Sequence, residues 1–403
     1  KQKTAYEIRP RDWSSDVCSS DLAWWWLQPT PAGPIILISI DTLRADHLGL
    51  YGYTKGRTPN IDALARDGVV FDRAYAHAPQ TLPSHTSILT GELPFQHGVR
   101  DNIGFTVKPG TPTLPGLLAP AGYGSGGFVS AYVLRKDTGL GQGFTVYNAE
   151  FPAGALDRPL AQVQRSGAAT VDAAVTWLNT HVDPKLFLFV HLYEPHMPFE
   201  PPPAYKDLAP YDGEIAAADA AVGSLLAALR TRGWYDNATI ALVADHGEGL
   251  GDHGEEEHGL FLYESTMHVP FVLKLPGQKN AGRRVSTPVQ HIDLLPTLTA
   301  LAGVKAPSAL RGRNLLPLTS GGTVTAQGIY GEAMMSRYHF GWSELTSLTD
   351  ERYKYIRSPK PELYDLDRDR AETTNVVADR AQVATAMRGC LDRKSTRLNS
   401  SHV

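Results

Sequence analysis

The stretch Pro34-Ile35-Ile36-Leu37-Ile38-Ser39-Ile40 is apolar but for one serine and stops at Asp41. A strand of that kind must be buried on both faces, the condition of a central strand in a parallel sheet covered by helices. Three later runs share the character: Leu186 to His191, Thr239 to Ala244, and Val269 to Leu275. Between them lie segments with a helical period. Thr58 to Arg66 opens with Pro59 at a favoured first helical position. Ser166 to Val182 carries Val171, Val175, Leu178 and Val182 as one stripe. Glu214 to Arg232 is stopped by Gly233. Strands alternating with helices predict an α/β sandwich around a mostly parallel sheet. The stretch TSGGTVT, 319–325, reads as a linker into a smaller α+β tail that ends near Arg393.

A chain of 403 residues has room for one large domain, alone or with a small appendage. Its 42% apolar and 20% charged residues are enough to bury a core. A net charge of −4 supplies no basic field, so a nucleic-acid partner is not expected. The two cysteines, Cys18 and Cys390, sit near the ends, which argues against a disulfide framework or a thiolate metal site. No apolar stretch reaches the roughly 18 residues that a membrane span needs. Trp24, Trp25 and Trp26 suit the outer end of an N-terminal membrane anchor, and equally a poorly packed leader. Residues 1–22 and 393–403, with RDWSSDVCSSDL and RKSTRLNSSHV, are polar, aperiodic and unlike the rest, so they read as leader or non-native sequence. That leaves 23–320 as the expected catalytic domain and 321–392 as a small C-terminal subdomain.

Ligand sites in open α/β sheets gather beyond the carboxyl ends of the strands. Asp41, His191 and the pair Asp245-His246 all fall on that edge. An acid placed directly after a buried strand must pair or bind a cation, although Asp41 alone also suits a turn cap. In TLPSHTSILTG, 81–91, a loop enters a helix whose N-terminus attracts an oxyanion, and the Thr81 hydroxyl stands just ahead of it. Thr81 or Ser84 also fits there as a simple cap. DHGEGLGDHG, 245–254, followed by His258 and His268, puts an acid and a histidine in a glycine-rich loop after a strand, which suits a divalent-metal site. His47 and His253 read as solvated loop histidines.

IDTLRADHLGLYG, TLPSHTSILTG and DHGEGLGDHGEEEHGLFLYE, in this order and spacing, resemble the sulfatase family of the alkaline-phosphatase superfamily. HLYEPHMPF from His191, QHIDLLPT from Gln290 and ELYDL from Glu362 extend the likeness over about residues 34 to 376. The resemblance implies an alkaline-phosphatase-like α/β sandwich with a small C-terminal subdomain. It places Asp41, Thr81, Asp245 and His246 at metal-ligand positions, with Thr81 also the nucleophile. It makes His196 and His258 catalytic and substrate-binding, and His85 substrate-binding. The sequence departs from the family pattern at four places: Thr81 stands where Cys or Ser becomes formylglycine, His85 where Arg is usual, Thr42 where a second Asp is usual, and His246 where Asn is common.

Threonine is not a known substrate for formylglycine formation, so its ester must be cleaved by direct in-line attack, a familiar step for phosphoryl groups. The expectation is therefore a metal-dependent hydrolase acting through a covalent Thr81 intermediate, with phosphate monoesters, diesters or phosphonates ahead of sulfate esters. The alternatives are a sulfuric ester hydrolase, a phosphoethanolamine or phosphoglycerol transferase, and an inactive module that binds anionic ligands. Two carboxylates, one imidazole and an alkoxide suit zinc or manganese better than calcium. Glu194 with His196 and His258 is the candidate set for a second metal. The substrate class is a small-molecule, glycan or lipid ester. The family resemblance implies a periplasmic or membrane-anchored, extracytoplasmic location.

Overall fold

The computed structural model describes residues 33–151 and 163–396. The Trp24–Trp26 segment, the leader and the last residues of the tail lie outside them, as does most of the loop 151–165. The main sheet is built from β1 (Ile35–Ile40), β2 (Val69–Tyr75), β3 (Gly124–Phe128), β4 (Val146–Asn148), β5 (Leu186–Leu192), β6 (Thr239–Ala244), β7 (His268–Lys274), β8 (Arg284–Val285) and β9 (Val289–Gln290). Its order is β4-β3-β5-β1-β6-β7-β2-β8, with β9 also beside β2. The apolar run at the start of the chain becomes β1, buried along its whole length. It pairs in parallel with β5 on one side and β6 on the other.

Only β7 runs against the rest of this sheet: it is antiparallel to both β6 and β2. The strand expected at Val269 to Leu275 is therefore present but reversed. The register brings the carboxyl ends of three strands level, with Ile40 opposite Ala244 and Leu192. Asp41 and Asp245 each follow directly, so two acids distant in the chain become neighbours.

Among the described residues, the α-helices of six residues or more are α1 (Pro59–Arg66), α2 (Thr81–Thr90), α3 (Gly167–Asn179), α4 (Pro210–Thr231), α5 (Leu294–Leu301), α6 (Met335–Phe340) and α7 (Ala381–Thr396). One group packs α1 and α3 against α4, with α3 on β3 and β5, while α2 packs against α5. The Ser166 hydroxyl accepts from the Ala169 amide at 3.3 Å and starts α3. That helix stops before Val182, which is 94% exposed and lies off the stripe expected for it. Helix α4 begins four residues ahead of the expected Glu214, because Pro210 serves as its first-turn residue.

A second, four-stranded antiparallel sheet holds β10 (Ile329–Ala333), β11 (Leu345–Thr349), β12 (Tyr353–Arg357) and β13 (Glu362–Asp365) in that order. Leu348, Tyr355 and Leu363 from it bury against Ala384, Met387 and Leu391 of α7. This helix runs on through Arg393, past the point where the sequence turns uncharacteristic.

Candidate active site

Asp41, Thr81, Asp245 and His246 meet at the carboxyl edge of the main sheet, all 0–2% exposed. The His246 ring is fixed by its Nδ1–H, which donates to the Gly247 carbonyl at 2.9 Å. Its Nε2 is then a bare lone pair. It faces Asp245 Oδ2 at 3.5 Å, Asp41 Oδ1 at 3.7 Å and Thr81 Oγ1 at 3.5 Å. Both Asp41 oxygens and Asp245 Oδ2 are buried with no hydrogen-bond partner. Burial raises the pKa of Asp41, and burial together with the Asp41 charge pushes Asp245 up to about 7. Acceptors facing one another in a dry pocket are costly unless a cation lies among them. The ligand atoms of Asp41, Asp245 and His246 lie within 4.8 Å of one another, so the group fits one divalent ion.

A second cluster of the same span, His85, His191 and Asp245, fails on its proton inventory. His85 Nδ1 donates to the Thr81 carbonyl and its Nε2 accepts from the Ser39 hydroxyl, both at 2.8 Å. With both nitrogens spent, His85 cannot touch substrate as expected; it holds the backbone of Thr81 instead. His191 Nδ1 accepts from the Ser130 amide at 3.4 Å, so its proton sits on Nε2, 3.4 Å from Asp41 Oδ2. His191 therefore turns an N–H towards Asp41 without bonding it, and has no lone pair left for a metal.

Thr81 is the first residue of α2, and neither it nor Ser84 caps that helix. The N-cap is Gln80, and the Ser84 hydroxyl bonds back to the Ala78 carbonyl at 2.8 Å. The Thr81 hydroxyl is thus free for chemistry. The helix start offers an oxyanion less than expected. Its Leu82 amide is taken by Asn102 Oδ1 at 2.8 Å, and Pro83 has no N–H. Thr42, next to Asp41, has φ 51°, a costly conformation for a β-branched residue. It aims the Thr42 amide at Asp245 Oδ1, 3.2 Å away.

His196 and His258 line the same site, with ring centroids 5.0 Å apart and His258 4.4 Å from His246. His196 Nδ1 donates to the Met197 carbonyl at 2.6 Å, and His258 Nδ1 bonds Glu248 Oε1 at 2.9 Å. Each ring keeps Nε2 in reserve. Burial drags His258 down to about 4 and pushes Glu248 up to about 7. Sequence reasoning passed over Glu248, an acid two places beyond His246 in the same glycine-rich loop. It also passed over Arg44, which bonds the Glu248 and Gly249 carbonyls and the Asp252 carboxylate, clamping that loop to the first motif. Glu194 is not placed for a second metal, because both its oxygens cap α3 through the Gly167 amide at 2.9 and 3.1 Å. His47 is tied to α4 by Asp212 at 2.7 Å, whereas His253 is exposed and stacks on Tyr263.

The family model described as Sulfatase matches residues 34–304. The chain belongs to the sulfatase family. Residues 251–397 match the model described as N-sulphoglucosamine sulphohydrolase, C-terminal. Among curated relatives, this sulfatase-family chain is 25% identical to a Delta 4,5-hexuronate-2-O-sulfatase of Bacteroides thetaiotaomicron, covering 90% of this chain and 88% of that protein. Among solved structures, it is similar to a phosphonate monoester hydrolase of Agrobacterium radiobacter, with TM-score 0.74, 25% identity, and 92% and 96% of the two chains covered. A protein solved with its substrate D-glucosamine-2-N,6-O-disulfate shares the fold at TM-score 0.78 and 20% identity, covering 92% and 99%. As a member of the sulfatase family, the chain is an ester-bond hydrolase. Among the described residues no helix is long and apolar enough to cross a membrane.

Proposed function

We propose that this chain hydrolyses phosphate esters or phosphonates through a phosphothreonine formed at Thr81. The observation that carries the reading is the Thr81 hydroxyl, spent on no helix cap and 3.5 Å from the bare Nε2 of His246. A bound divalent ion supplies the positive charge that lowers the hydroxyl's pKa and offsets charge on the transferred group. Zinc or manganese suits the donor set of Asp41, Asp245, His246 and Thr81. Oγ1 displaces the leaving oxygen in line, and its proton ends on the departing alcohol. His196 and His258, each anchored through Nδ1 with Nε2 as a bare acceptor, are the candidate bases: one of them takes the Thr81 proton at Nε2 and hands it to the leaving oxygen. Water then attacks the phosphorus of the Thr81 ester from the vacated side, its proton passing to Oγ1; this returns the Thr81 hydroxyl and releases phosphate from a monoester, a phosphate monoester from a diester, or the phosphonate.

Thr81→Ala tests the nucleophile. Turnover of an aryl phosphate and a bis-aryl phosphate should fall by about a thousandfold or more, at unchanged Tm and with both proteins assayed at saturating metal. Activity left intact with metal bound removes Thr81 from the mechanism. The likeness to a hexuronate sulfatase supports a second reading, a sulfuric ester hydrolase. Faster release of nitrophenol from its sulfate than from its phosphates decides for it.

A further inference from the structure

Thr42 is held at φ 51° by bonds that its own side chain does not make. Its hydroxyl is buried with no hydrogen-bond partner. The backbone around it is what is fixed. The Asp41 amide donates to the Leu192 carbonyl at 2.9 Å and so continues the sheet. The Thr42 amide donates to Asp245 Oδ1, and the Thr42 carbonyl accepts from the Tyr211 hydroxyl at 2.7 Å. The same phenol oxygen accepts from the Arg44 amide at 3.0 Å. One hydroxyl therefore closes the turn over Leu43, between a carbonyl and an amide two residues apart. Tyr211 reaches it from the first turn of α4, its ring packed edge-on against His47 at 5.0 Å and Phe199 at 5.4 Å.

This turn decides which oxygen of Asp245 is left for a cation. Oδ1 accepts from the Thr42 and His246 amides at 3.2 and 2.9 Å, whereas Oδ2 has no partner. A β-branched residue at positive φ is strained, and it stays there only where its surroundings over-determine it. Thr42 and Leu43 are buried completely. Without the phenol, a carbonyl and an amide in that dry turn lose their partner, and the strain is no longer opposed. Residue 42 then relaxes towards negative φ, its amide turns off Asp245 Oδ1, and the two acids lose their alignment.

We propose that Tyr211 is a positioning residue of the metal centre: its hydroxyl latches the strained turn after Asp41, so that Asp41 and Asp245 Oδ2 already face one point before a cation arrives. This rests on the metal-dependent reading above. The hydroxyl is spent on two backbone groups, so it acts through the turn and touches neither ion nor ester. Ring packing is a separate matter, because a phenylalanine fills the same space between His47 and Phe199. Pre-alignment of this kind lowers the cost of gathering two like charges around an ion.

The test is a zinc titration of the full chain by calorimetry, with two substitutions. Tyr211→Phe keeps the ring and removes the latch, and zinc should bind it about tenfold more weakly than the parent. Thr42→Gly removes the strain, because glycine takes positive φ freely. Added to Tyr211→Phe, it should recover most of the lost affinity. Equal affinity in the parent and Tyr211→Phe overturns the proposal. So does a loss that Thr42→Gly leaves unrepaired, which would make Tyr211 a packing residue only. Amide exchange at residue 42, read by NMR in the metal-free proteins, follows the latch without zinc. If the parent binds no zinc, the metal reading fails by itself. Protection at residue 42 that drops about tenfold in Tyr211→Phe and returns with Thr42→Gly then still upholds the latch, and protection equal in the parent and Tyr211→Phe removes it.

Discussion

At the scale of single residues, what matters is where the protons are. His246, His85 and His191 are all buried imidazoles at one sheet edge, yet only His246 turns a lone pair towards the acids. That Asp41, Asp245 and His246 meet at one sheet edge with Thr81 was legible, because the first three follow buried strands and Thr81 opens a helix within a recognisable motif. The roles of His85 and His191 were not, since they depend on which backbone group each ring nitrogen meets. Glu248 was hidden for the same reason: nothing in its position along the loop announces that it grips His258 at 2.9 Å. A gripped imidazole is positioned, and losing such a partner costs about 10–100-fold in activity at comparable sites. Glu248→Ala should fall in that range in kcat. Glu248→Gln, which still accepts from Nδ1, should recover most of it. Equal losses in both variants would assign Glu248 to charge alone.

At the scale of elements, the strands were easier to read than the helix boundaries. The runs at Ile35, Leu186 and Thr239 became central strands because burial on both faces admits only apolar residues. Helix ends depend on tertiary partners instead: Glu194, twenty-eight residues after Ser166, supplies a cap for α3 that no local pattern reveals. Helix α2 illustrates how an element is seated. The His97 Nδ1 accepts from the Val99 amide and its Nε2–H reaches Ser87 on α2, each at 3.1 Å. Burial drags His97 down to about 3. The unfolded chain takes up a proton below about pH 6.5, whereas the folded chain does not. Stability from this site is therefore complete above that pH and is lost on acidification, by about 1.4 kcal/mol per unit. Urea unfolding of the parent and of His97→Gln should show the parent's advantage shrinking by about 2 kcal/mol between about pH 7 and about pH 5. A constant difference would mean that His97 protonates in the fold.

At the scale of the molecule, the C-terminal sheet is bound to the main domain by buried charge. Lys354 on β12, fully buried, lies 3.1 Å from both Glu264 and Glu372. Glu332 on β10 takes a two-pronged bond from Arg100 at 2.6 and 2.7 Å. Lys354→Met leaves two carboxylates buried without their cation, and should cost about 3–5 kcal/mol of unfolding free energy in a urea titration. Adding Glu264→Gln and Glu372→Gln should restore part of it.

The whole reading turns on one cation among Asp41, Asp245, His246 and Thr81. Metal content by mass spectrometry, after chelator dialysis and reloading with zinc, tests it most directly. The parent should retain one equivalent per chain, and Asp41→Asn should lose it at the same free zinc concentration. A parent that takes up none, or an Asp41→Asn protein that binds as tightly, contradicts the account.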